Sequence, residues 1–236
     1  MNTRVILLVT LTPPLLITYL IGIWFWMDST LLFTQFLLVL PLCYILGSVP
    51  WGYMITRASS GADIRQMGSG SIGTTNVLRT SGPKLAIIVF LLDVGKGLLA
   101  VFLAKATSTE ISLEVAAGLL VVIGHNWPIF TGFKGGRGIA PGAACALIMV
   151  PLAFAFGTAI FAILVYLYRY VSLSSLVGIT AIFIFLVVQV LVTNTSPVYL
   201  IFVGVADLMI FWQHRGNLRR LIAGTEHKLG QKSWGP

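Results

Sequence analysis

Long apolar runs alternate with short polar segments along the chain, and the runs have membrane length. Stretches of about 20 apolar residues, which as helices cross ~30 Å of hydrocarbon, recur near residues 5–26, 31–55, 84–104, 114–131, 173–193 and 197–213. The stretch from Ile139 to Leu167 admits two readings. As one helix its 29 residues would reach about 43 Å, more than the apolar core needs. Pro151 near its middle, with Gly157 after it, favours two short helices in a hairpin. A hairpin also puts Lys134, Arg137 and Arg169 on the same side as the loop 57–83 and the tail 214–236, whereas one helix divides them. The pattern therefore predicts an all-α, polytopic integral membrane bundle of about eight transmembrane helices.

Composition supports that class: 57% of residues are hydrophobic and only 9% charged, too apolar for an aqueous surface. The net charge of +8 does not indicate a nucleic-acid partner, because Lys and Arg sit in short gaps between spans and not on one face of a soluble module. With the hairpin, 13 of the 15 basic residues share one side: Arg4, Arg57, Arg65, Arg79, Lys84, Lys134, Arg137, Arg169, Arg215, Arg219, Arg220, Lys228 and Lys232. The positive-inside rule makes that side cytoplasmic. Residues 1–26 have the look of a signal peptide, but the length of the run, the lone Arg4 and the lack of an A-x-A site favour an uncleaved helix. Cys43 and Cys145 fall in apolar segments, away from any C-x-x-C pattern or His cluster, and are expected in the core.

The polar segments on the basic side carry the candidate chemistry. In "GADIRQMGSGSIGTTNVLRTSG" (61–82), Gly68, Gly70 and Gly73 permit turns in which backbone N–H groups converge on an anion. Ser69, Thr74, Thr75 and Asn76 add donors there, while Arg65 and Arg79 add fixed charge. The segment is neither a Walker loop nor a dinucleotide fingerprint, since it follows a membrane span. In "GHNWPIFTGFKGGRGIAPG" (124–142), Lys134 and Arg137 bracket Gly135 and Gly136 where an apolar helix resumes, an arrangement suited to an anion at a helix N-terminus. His125 beside Trp127 is expected to be structural. In "HRGNLRRLIAGTEHKL" (214–229), His214 and Asn217 share a helix face, the arginines suit lipid headgroups, and Glu226 is expected to be an ion-pair partner. Asp93 and Lys96, spaced i, i+3 within a span, are expected to pair towards the bundle interior. Two function classes fit: an enzyme acting on a phosphorylated metabolite at the membrane, or a carrier of an organic phosphate. A carrier places ionisable groups at mid-bilayer in several helices. Here Asp93, Lys96 and Asp207 alone interrupt the spans, which favours the enzyme.

Six segments in order, "GSVPWGY" (47–53), "DIRQMGSGSIGTTNVLR" (63–79), "LLDVGKG" (91–97), "GHNWPIFTGFKGGRG" (124–138), "RYVSLSS" (169–175) and "HRGNLRRLIAGTEHKL" (214–229), resemble the bacterial acyl-phosphate:glycerol-3-phosphate acyltransferases, the PlsY family. The resemblance runs from about Phe36 to the end. It implies transfer of a fatty acyl group from acyl phosphate to the 1-hydroxyl of glycerol 3-phosphate, with no cofactor or metal, on a seven-span core with a cytoplasmic-face site in the bacterial inner membrane. Residues 1–30 would then be an added helix and 31–236 the acyltransferase core. Carried over by motif, Ser69, Arg79, Arg137, His214 and Asn217 would be catalytic. Gly68, Gly70, Thr75, Asn76, Lys134, Gly135, Gly136, Gly138 and Ser175 would bind substrate or phosphate, and Glu226 would be structural. The chain departs from the usual pattern at Ser71 and Thr74, at Arg137 where Lys is usual, and at Pro141, which removes a backbone donor from the helix start. Acyl phosphate is already activated, so the protein's task is to hold two anions together. The hydroxyl proton has two candidate acceptors, His214 and a substrate phosphate. No carboxylate in the sequence is placed to orient His214, which favours the phosphate.

Overall fold

The computed structural model describes residues 31–231 together with Pro14, Leu15, Thr18, Tyr19 and Ile21. The expected span over 5–26 otherwise lies outside the described residues, as do Arg4, Asp28 and Lys232. Ten α-helices and two short 3-10 turns follow: α1 (Leu32–Ser48), α2 (Trp51–Ser60), α3 (Thr74–Ser81), α4 (Pro83–Thr107), α5 (Ile111–Asn126), α6 (Ile139–Met149), α7 (Pro151–Tyr168), α8 (Val171–Val192), α9 (Tyr199–Gln213) and α10 (Arg215–Ile222). Five helical stretches among the described residues are long and apolar enough to cross a membrane, with α1 and α2 counted together, and α6 and α9 are shorter apolar helices.

The expected break at Pro151 is present. Val150 leaves helical geometry, at φ −140° and ψ 61°, and Pro151 opens α7, where its missing N–H costs nothing. Two boundaries differ from the hydropathy pattern. The run 31–55 is interrupted at Val49 and Pro50, because a proline disfavours helical geometry in the residue before it. The run 114–131 ends as a helix at Asn126, and a 3-10 turn over Ile129–Thr131 follows Pro128. The polar stretch 61–82, read as loop throughout, also contains α3.

The core lies between α1, α4, α5, α6, α8 and α9, with Val101, Val121, Leu113, Leu186 and Phe202 fully enclosed. Outward faces carry Phe102, Leu152, Leu191 and Leu208, as a lipid-facing surface should. Helices α1 and α5 cross at Gly47 and Gly124: a Cβ at Gly47 would stand 2.2 Å from the Val121 carbonyl oxygen, and one at Gly124 would stand 2.3 Å from that of Tyr44. Only glycine permits this approach, and it fixes the end of α5 from which the 127–138 loop departs. Cys43 and Cys145 are both buried, as expected.

Candidate active site

A cavity of about 450 Å³ opens where the polar segments meet. Its wall is formed by residues 69–71, by Asn126 and Trp127, by residues 133–137, and by Trp212, Gln213, Arg215, Gly216, Asn217, Arg219 and Arg220. Among the described residues, five cations (Lys134, Arg137, Arg215, Arg219 and Arg220) and no carboxylate line it. Such a wall suits an anionic ligand.

The 61–82 segment is built around Asn76. This residue is 2% exposed; its Nδ2 donates to the carbonyls of Ser71 at 2.8 Å and Met67 at 3.0 Å, and its Oδ1 accepts from the Ser69 N–H at 2.9 Å. The expected substrate donor is thus spent on holding its own loop, with Gly68 and Gly70 in left-handed turns. That loop presents Ser69 to the cavity, exposed. Ser71, one of the departures, accepts from the Gly73 N–H at 3.2 Å and also reaches the wall. Thr75 lies outside the wall, and the Thr74 hydroxyl is buried. Arg65 is engaged by Asp63 at 2.7 Å and stacks 4.8 Å from the Tyr53 ring, so it braces the loop.

The glycine loop is held from below by His125. The Gly136 N–H donates to the His125 carbonyl at 2.9 Å, and a Cβ at Gly136 would lie 1.9 Å from His125 Nε2. Gly138, at φ +81°, turns the chain into α6. Because Pro141 has no N–H, the first turn of α6 offers fewer backbone donors than an ordinary helix start. Thr131 Oγ1 donates to the Lys134 carbonyl at 2.9 Å, leaving the exposed Lys134 side chain at the cavity.

Arg137 stands between the two loops and the C-terminal segment. Burial lowers its pKa to about 10, with the charges of Arg220 and Arg79 adding to that and Glu226 opposing it; at neutral pH it remains a cation. Burial likewise lowers the pKa of Arg79, whose Nη2 donates to the His227 carbonyl at 3.2 Å. Arg79 sits behind the wall but close enough for its charge to act at Arg137.

The carboxylate of Glu226 organises the last segment. It accepts from Asn217 Nδ2 at 2.7 Å, Arg220 Nε at 2.7 Å and Ser172 Oγ at 2.9 Å. These bonds hold its pKa below the ordinary range despite burial. Glu226 forms an ion pair with Arg220, and Asn217, expected to be catalytic, has its amide donor committed to Glu226 while still reaching the wall. Ser175 donates to the Val171 carbonyl at 2.8 Å and lies outside the wall. His214 is 2% exposed and lies just behind the cavity wall, with Nδ1 2.8 Å from the Ile210 carbonyl.

Of the expected residues, the wall takes in Ser69, Gly70, Lys134, Gly135, Gly136, Arg137 and Asn217, and does not include Gly68, Thr75, Asn76, Arg79, Gly138, Ser175 or His214. Arg219 and Arg220, read from sequence as headgroup anchors, line the cavity, as do Asn126, Trp127, Trp212 and Gln213. Proximity to the motifs was the available signal for these. Asp93 and Lys96 pair as expected, at 2.8 Å, and His125 joins them, with Nδ1 2.7 Å from Lys96 Nζ.

The chain matches the glycerol-3-phosphate acyltransferase family over residues 37–224. Relatives named glycerol-3-phosphate acyltransferase include one from Parasynechococcus marenigrum, 45% identical over 200 residues that span 84% of this chain and 91% of that one. Another, from Alkaliphilus metalliredigens, is 43% identical over 197 residues, 84% of this chain and 97% of its own. The fold is similar to the crystal structure of PlsY, an integral membrane glycerol 3-phosphate acyltransferase, in its glycerol 3-phosphate form: TM-score 0.76 and 34% identity, over 83% of this chain and 96% of that one. The lysophosphatidic acid form gives a TM-score of 0.73 at 32% identity, over 83% of this chain and 95% of that one. By the extent of these matches, the chain belongs to the glycerol-3-phosphate acyltransferase family of integral membrane proteins.

Proposed function

We propose that the protein transfers a fatty acyl group from acyl phosphate to the 1-hydroxyl of sn-glycerol 3-phosphate, giving lysophosphatidate and inorganic phosphate. The observation that carries this reading is the five-cation cavity wall joined to the Gly135–Gly136 turn and the start of α6, a setting for two phosphate-bearing substrates. The hydroxyl oxygen attacks the acyl carbon, the bond from that carbon to the phosphate oxygen breaks, and inorganic phosphate leaves. Arg79, Arg137 and Lys134 offset the repulsion between the substrates and the charge that develops on the leaving group. Ser69 and the loop N–H groups orient them. The hydroxyl proton passes to a substrate phosphate oxygen; His214, with its pKa lowered to about 4, is poorly matched to act as base near neutrality.

In this reading residues 1–30 add one span to the core 31–236, for about eight in all. The cavity faces the cytoplasm, and the membrane is the bacterial inner membrane, the basic residues lying on the cytoplasmic side.

The test is acyl transfer by purified protein supplied with glycerol 3-phosphate and, in turn, acyl phosphate, acyl-CoA and acyl-carrier protein. Phosphate release and lysophosphatidate with acyl phosphate alone are expected. Activity confined to either other donor overturns the donor assignment, and uptake of labelled glycerol 3-phosphate into protein-containing vesicles, without acylation, would favour a carrier.

A further inference from the structure

The glycine turn rests on a buried charge cluster that the proposed reaction does not touch. Lys96 Nζ lies 2.8 Å from Asp93 Oδ1, 2.7 Å from His125 Nδ1 and 3.0 Å from the Gly47 carbonyl oxygen. An ammonium carries protons and no lone pair, so Lys96 is the donor and Nδ1 the acceptor. Asp93 Oδ1 also stands near Nδ1, at 3.4 Å, longer than a normal N–H···O bond, so the 2.7 Å contact with Lys96 decides the tautomer: His125 is the neutral imidazole with its proton on Nε2. The Nε2 edge faces the turn: it fills the space a side chain at Gly136 would occupy, while the carbonyl of the same residue holds the Gly136 N–H. The charged groups facing the ring are Asp93 and Lys96, both from α4. Gly47 in α1 and Val49 just past its end contribute carbonyls to the cluster, and the loop presents the backbone of Gly135 and Gly136 to His125.

We infer that His125 is a positioning residue for the Gly135–Gly136 turn, and that Lys96 sets it by selecting the Nε2–H tautomer. The inference rests on the proposal that this turn contacts glycerol 3-phosphate. A proton on Nδ1 would face the Lys96 ammonium, turn the ring away and lift Gly136 into the cavity. With His125 neutral, the Asp93–Lys96 pair leaves no net charge behind the loop, so the cations on the cavity wall alone determine the field there.

Two measurements test this. The first is the imidazole nitrogen spectrum of 15N-histidine-labelled protein in detergent, with the His125 signals identified by their loss in His125→Gln. A bare Nδ1 and a protonated Nε2 are expected from about pH 6 to about pH 8, the range in which a free imidazole changes charge; a protonated Nδ1 overturns the inference. The second compares two variants. Asn at 125 keeps an acceptor for Lys96 but empties the space beneath Gly136, whereas Gln reaches that space. His125→Asn is expected to raise the glycerol 3-phosphate KM about tenfold with kcat within about twofold, and His125→Gln to recover most of the KM. Equal KM values in the two variants, or a loss confined to kcat, overturn it. Thermal midpoints in the same detergent identify a general folding defect, which would not separate Asn from Gln. Should the wild type lack acyl transfer, the proposed reaction fails, and the Kd for inorganic phosphate replaces KM in the same comparison.

Discussion

His214 Nδ1 is held 2.8 Å from the carbonyl oxygen of Ile210, one turn earlier in α9. A carbonyl only accepts, so the ring proton is on Nδ1 and Nε2 keeps a lone pair. Burial and then the nearby Arg137 charge lower the His214 pKa to about 4, against the smaller raising effects of the Ile210 bond and Glu226. The unfolded chain's histidine protonates at about 6.5, so between those two values the unfolded state binds more protons. Stability therefore rises with pH across that window and is lost on acidification, by up to about 3 kcal/mol from this residue. Thermal midpoints against pH in detergent check it: His214→Gln is expected to flatten the acid limb relative to wild type, and identical slopes would refute the assignment.

Removing the Arg79 charge is expected to be catalytic in its effect and mild in its structural cost. Arg79→Ala is expected to reduce kcat/KM by about 10²-fold through loss of its charge beside Arg137, about 2.7 kcal/mol of transition-state stabilisation, while the protein stays monodisperse. Activity within a few-fold of wild type would remove Arg79 from the electrostatic account.

Gly136→Ala places a Cβ 1.9 Å from His125 Nε2, so the loop or the ring must move. The expected outcome is a glycerol 3-phosphate KM raised about tenfold or more with a smaller change in kcat, read from initial rates at a saturating concentration of the acyl donor. An unchanged KM would detach this turn from substrate binding.

Glu226→Ala leaves Asn217, Arg220 and Ser172 without their shared acceptor. The expected cost is about 3 kcal/mol of stability, seen as a lower thermal midpoint and a smaller yield of folded protein. Glu226→Gln, which keeps an acceptor but not the charge, should fall between Ala and wild type.

Much of this was legible in the sequence, and the parts that were not have physical reasons. Pro151 announced the α6–α7 break because proline acts on its own neighbours. Pro50 did the same for α1, but the apolar run continued through it and hydropathy alone hid the interruption. The pairing of Lys96 with Asp93 followed from one helical turn of spacing; their meeting with His125 did not, since it depends on how closely α1, α4 and α5 approach. Asn76 was counted among donors to a ligand because an amide in a glycine-rich loop serves a substrate or its own backbone equally well, and only the folded loop decides. Arg219 and Arg220 had a sufficient explanation in the membrane surface, which concealed their place on the cavity wall.

The interruption of α1 also bears on how the chain is assembled. Gly47 and Val49, at that break, point carbonyl oxygens towards Lys96, at 3.0 and 3.4 Å. During synthesis α1 enters the bilayer before α4, so these carbonyls already await the ammonium when the charged helix arrives, and His125 follows on the next span. A lysine near mid-bilayer opposes insertion by roughly 2.5–3.5 kcal/mol, a penalty that falls as each successive helix takes its place. The cluster thus rewards membrane entry in the order in which the helices are translated, and before α5 arrives the lysine has the α1-end carbonyls and Asp93 but not His125.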